Sequence, residues 1–126
     1  MKRILIFLVL AISSLTALAT PPRLAVEQLF DGRFNNEKSV RTSIIKSNGV
    51  YFRSLKFTDN PDIVNTIDKA VHKDSSRAAN FFEQNGEGGH STLIKIVNND
   101  QTIDIVFQYQ NGSGFFVIRG PEEAFK

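Results

Sequence analysis

His72 and His90 are the only histidines in a chain of 126 residues that contains no cysteine. A metal centre or a nucleophile–base couple would therefore have to use one of these two rings together with carboxylates. The lack of cysteine rules out a disulfide, a CxxC redox pair, a zinc–thiolate site and a lipid-attachment thiol. His90 follows Gly86-Glu87-Gly88-Gly89, and Glu87 close by makes it the better candidate for ligation or acid–base chemistry. The flexible glycine setting counts against it, because working groups must be held in place. His72 falls opposite the apolar stripe of a predicted helix, and His72-Lys73-Asp74 lacks the i, i+4 spacing that stacks two ligands on one helical face. The glycine run has no phosphate-binding lysine and precedes a strand rather than a helix. There is no G-x-S-x-G elbow, and no carboxylate couple stands out as a glycosidase pair. No catalytic residue, cofactor or metal is expected, and folding should not require a metal.

The elements that would position these residues follow from pattern. Leu24 to Phe30 reads as a short helix ended by Gly32. Val40 to Lys46 and Val50 to Phe57 are β-branched and aromatic runs, and the Asn48-Gly49 between them signals a hairpin. Asn60-Pro61 opens a helix, with Asn60 as N-cap and Pro61 at the first helical position. Ile63, Ile67, Ala70, Val71, Ala78, Phe81 and Phe82 fall within an arc of roughly 120° at helical spacing, which predicts one long helix to about Gln84. Gly86-Glu87-Gly88-Gly89 reads as a connector. Thr92 to Val97, Ile103 to Tyr109 and Phe115 to Arg119 read as three strands, and the half-polar alternation of the middle one argues for an antiparallel sheet with one wet face. The expected fold is α+β in the order α-β-β-α-β-β-β, a long helix packed on an antiparallel sheet. Pattern alone does not decide whether the first hairpin and the last three strands share one sheet.

Two charges break these patterns. Asp74 falls at about 20° on the helical wheel, in the centre of the apolar stripe. Arg53 interrupts Tyr51, Leu55 and Phe57, otherwise an apolar strand face. Either Asp74 caps a second helical segment beginning at Ser75-Ser76, or it pairs with Arg53 at the helix–sheet interface. The stretches Tyr51-Phe52-Arg53-Ser54-Leu55 and Ala70-Val71-x-x-Asp74-x-x-x-Ala78, with the strand-rich end that follows, resemble a family of small exported Bacteroidetes proteins with no assigned function. The resemblance implies a bacterial envelope location and an α+β domain, and it transfers no catalytic residue.

The amino terminus reads as a secretory signal peptide over residues 1–19. Lys2 and Arg3 are followed by the apolar run Ile4–Ile12 and by Ala17-Leu18-Ala19, an A-x-A cleavage site. The run is less than half the roughly 20 residues of a membrane-spanning helix. Residues 20–126 fit one small domain. The net charge of +2 disappears once Lys2 and Arg3 leave with the leader. No window gathers basic residues into a nucleic-acid or membrane-binding stripe. These features point to an exported, periplasmic or secreted, non-enzymatic module without a membrane anchor after cleavage, which binds a protein or envelope component. The alternative is a small envelope hydrolase or glycan-active enzyme using His90 and Glu87 or an unrecognised carboxylate pair.

Overall fold

Asn48 and Gly49 both adopt positive φ, 52° and 77°, which gives a hairpin turn whose twist suits the strands on either side. Those strands are β1 (Val40–Ser47) and β2 (Val50–Phe57), paired from Ser47↔Val50 to Val40↔Phe57. The computed structural model describes residues 23–125, so the leader and its cleavage site lie outside the described residues. Ahead of the hairpin stands a four-residue helix, α1 (Ala25–Gln28). After it comes α2 (Pro61–Asp74), which starts as expected: Asn60 Oδ1 accepts from the Ile63 N–H at 3.1 Å, and Pro61 lies in the first turn.

The helix stops at Asp74, not at Gln84. A 3₁₀ turn over Ser75–Arg77 leads directly into β3 (Ala78–Gly86). Ala78, Phe81 and Phe82 extend the helical stripe on paper, but this segment also alternates, with Phe81, Glu83 and Asn85 on one side and Asn80, Phe82 and Gln84 on the other. Asparagine and phenylalanine are indifferent helix formers, and a neighbouring strand satisfies the segment's backbone groups, so tertiary pairing wins over periodicity. The glycine run is the turn of a second hairpin, which leads into β4 (Gly89–Asn98). β5 (Gln101–Gln110) and β6 (Ser113–Pro121) are the last strands of the described residues, each longer than expected. The expected long helix on a sheet is therefore corrected. The described residues form a six-stranded antiparallel sheet with two short helices, in the order α-β-β-α-β-β-β-β.

The strand order is β1-β2-β6-β5-β4-β3, so both groups of strands share one sheet. Its core face gathers Leu55 and Phe57 from β2, Phe116 and Ile118 from β6, Ile105 and Phe107 from β5, and Ile94 and Ile96 from β4. Ile63, Ile67 and Val71 of α2 and Leu24, Val26 and Leu29 around α1 belong to the same buried cluster. Among the described residues, no helix covers the opposite face, where Phe82, Leu93 and Ile45 are exposed. Gly114 is needed where β6 leaves its turn, because a Cβ there would overlap the Gln108 carbonyl oxygen across the ladder. Gly114→Ala should force β5 and β6 apart and cost about 1–3 kcal/mol, measured as a lower urea midpoint. An unchanged midpoint would show that the ladder accommodates the methyl group.

Candidate functional site

Arg53 and Asp74 do not pair, and Asp74 does not cap the turn that follows it. The Asp74 carboxylate reaches back across the fold, accepting from the Ala25 N–H at 3.0 Å and the Val26 N–H at 2.9 Å. It thus satisfies the free donors at the start of α1. Arg53 faces a different carboxylate, with Nη1 3.8 Å from Glu27 Oε1; Glu27 also takes Arg23 Nε at 3.3 Å. The Arg53 guanidinium lies over the rings of Tyr51 and Phe125, 5.0 and 4.9 Å from their centroids. Cation–ring contacts of this kind suit arginine better than lysine. Both misplaced charges therefore anchor α1, Asp74 through its backbone and Arg53 through Glu27.

The two histidines, far apart in sequence, converge. Asp68 and His72 lie one turn apart on α2, while β3 offers Glu83 and Asn85 beside their cross-strand partners Thr92 and His90 on β4. His72 Nδ1 donates to the Asp68 carbonyl oxygen at 2.8 Å, and His72 Nε2 stands 3.2 Å from Glu83 Oε2. His90 Nδ1 engages Asn85 Oδ1. His90 Nε2 lies 3.0 Å from Thr92 Oγ1 and 3.4 Å from the same Glu83 oxygen. The Tyr109 ring stacks on His90 at 5.0 Å. The hydrogen bond to the Asp68 carbonyl, helped by the charges of Asp68 and Glu83, holds the His72 pKa above its ordinary value. Burial, with the same two carboxylates, raises that of Tyr109. The cluster thus favours positive charge on the His72 ring.

Glu87 sits exposed in the β3–β4 turn. It shares an open depression with His90 and Tyr109, and its carbonyl oxygen accepts from Gln110 Nε2 at 3.0 Å. The carboxylate beside the His90 ring is Glu83. Sequence reading missed Asp68 and Glu83. The i, i+4 spacing of Asp68 and His72 was one available signal. A hairpin read through the glycine run, placing Glu83 and Asn85 opposite Thr92 and His90, was the other.

The bare sheet face forms a second feature. Phe82, Leu93, Val106 and Val117 stand side by side in one row across β3, β4, β5 and β6. Phe82 and Leu93 are 54% and 46% exposed. On one side of this row runs Arg41, Lys56 and Phe115, and on the other Ile45, Phe52, Arg119, Asp104 and Lys95. Arg41, Lys56, Lys95 and Arg119 are all exposed, and among the described residues of this face Asp104 is the only carboxylate to offset them.

A model described as a family of unknown function, DUF6108, matches residues 13–114. The chain belongs to that family. The DUF6108 match covers everything from α1 to the start of β6, including the histidine cluster and most of the bare face. Membership agrees with the expectation of a family without an assigned function. The DUF6108 description says nothing of a bacterial group or of export. No curated protein and no solved structure matches the chain.

Proposed function

We propose that this chain is an exported bacterial envelope protein whose residues 20–126 form one non-enzymatic domain that binds a protein partner through the bare face of its sheet. The observation that carries this reading is the continuous apolar row on a face that no helix among the described residues covers. Soluble monomers rarely leave large contiguous apolar patches in water, and where they do, the patch commonly marks an interaction site. The flanking charges narrow the occupant. Four cations against one carboxylate would repel a second copy of the same face, so the partner should present an apolar strip bordered by acidic side chains. Export rests on Lys2-Arg3, the Ile4–Ile12 run and Ala17-Leu18-Ala19. The hydrolase alternative has less behind it, since Glu87 meets His90 only across an open depression.

The test places a photo-crosslinking residue at Leu93, with Lys69 on α2 as control, in the full chain expressed in its native host. N-terminal sequencing should begin at or near Thr20, and recovery of Met1 in the cytosol would overturn export. Leu93 should capture a distinct protein through an acidic segment, and Lys69 should not. Reversing Arg41, Lys56 and Arg119 to glutamate should abolish that capture. Equal yield from Lys69, capture of another copy of the chain, or indifference to charge reversal would overturn the proposed face.

A further inference from the structure

We propose that Asp68, His72 and Glu83 hold a divalent transition-metal ion, zinc in the first instance, where α2 meets β3. This site is independent of the bare sheet face. One potential ligand atom from each of the three residues lies within 4.8 Å of the other two. Ligand atoms around a tetrahedral zinc with bonds of about 2.0–2.1 Å stand about 3.3 Å apart. His72 Nε2 and Glu83 Oε2 are 3.2 Å apart, so one ion fits between them with little movement. Asp68 Oδ1 is shielded from solvent and accepts no hydrogen bond, but it stands 3.3 Å from His72 Nδ1, so its carboxylate must turn toward Nε2 to serve as the third donor.

The proton arrangement supports the same assignment. A carbonyl oxygen can only accept, so His72 Nδ1 donates to the Asp68 carbonyl. In the neutral ring the lone pair is then on Nε2, aimed at a carboxylate oxygen. Two acceptors at that distance repel unless a metal ion or a proton lies between them. A metal-bound histidine is characteristically set up in this way, with its far nitrogen donating to a carbonyl or carboxylate. His90, on the other side of Glu83 Oε2, acts as a positioning residue. Its Nδ1 is engaged by Asn85, and its ring is fixed against Tyr109. An imidazole ligand favours zinc or a similar ion over magnesium, which prefers oxygen and water. A proton on His72 Nε2 would meet the same electrostatic need, and the titration separates the two cases.

The experiment is calorimetric titration of the purified protein with zinc sulfate. It should bind one ion per chain with micromolar or tighter affinity, unaffected by millimolar magnesium. His72→Ala and Glu83→Gln should each weaken binding by about 100-fold or more. Both side chains are partly exposed, so circular dichroism should remain that of the wild type. Glu87→Gln should bind as the wild type does. In the unaltered protein, zinc should shift the ring signals of His72 in the proton NMR spectrum, a readout that needs no variant. Absence of saturable binding, unchanged affinity in both ligand variants, or a His72 ring indifferent to zinc would overturn the site.

Discussion

Asp74→Ala is expected to destabilise the protein by about 3–5 kcal/mol, since each hydrogen bond to a charged group contributes about 1.5–3 kcal/mol and its loss leaves a buried donor unpaired. Asp74 is 4% exposed, and its carboxylate holds the Ala25 and Val26 N–H groups. Those donors belong to a segment whose Leu24, Val26 and Leu29 side chains are almost wholly buried. A four-residue helix cannot sustain itself in water, so its position depends on this anchor and on packing. Loss of the carboxylate should therefore free the amino-terminal segment before the sheet. Urea denaturation gives the energy, and limited proteolysis should cut near Asp31 in the variant long before it cuts the wild type. Asp74→Asn, which keeps the shape and one good acceptor, should lie between the two. A cost below about 1 kcal/mol for the alanine variant, within the range of a surface change, would mean that packing alone holds α1.

Arg53→Met should cost about 2–4 kcal/mol, somewhat less than the 3–5 typical of breaking a buried pair, because Arg23 still approaches Glu27 from the solvent side. Methionine keeps much of the stem's packing between Tyr51 and Phe125 and removes only the charge. The loss would then reflect a Glu27 carboxylate left buried without its inner partner. Combining it with Glu27→Leu should recover most of the stability, since apolar replacement of a whole buried pair is often neutral. A double-mutant cycle reads this as a coupling energy well above 1 kcal/mol. Additive losses would show that Arg53 acts through its aromatic contacts alone.

The elements with local causes were legible. Asn48-Gly49 fixes the first hairpin, Asn60-Pro61 fixes the start of α2, and the period-two pattern of Ile103 to Tyr109 marks β5. The region after Asp74 was not legible, because Ala78, Phe81 and Phe82 complete a helical stripe, while as a strand the segment puts Phe81 and Phe82 on opposite faces and shows no apolar alternation. Pairing with β4, a tertiary event, decides between them. That one misreading hid the histidine cluster, since Glu83 joins His72 and His90 only if its segment is a strand. Asp74 and Arg53 stood out as misplaced charges, but their partners, the backbone of α1 and Glu27, lie in a segment whose docking no local pattern announces.

The strand order also bears on how the chain acquires its fold. Four of the five strand pairings join neighbours along the chain, and only β2 with β6 brings distant segments together, residues 50–57 with residues 114–121. Most of the loop-closure entropy is thus concentrated at a single seam. The meander from β3 to β6 and the β1–β2 hairpin can each form from local contacts, on the timescale of hairpins. Their zipping along β2 and β6, with α2 carried between them, is the slow event expected of non-local pairing. Asn60 N–H donating to the Gly112 carbonyl and Glu122 N–H donating to the Gly49 carbonyl, at opposite ends of that seam, fasten the two halves once they have met.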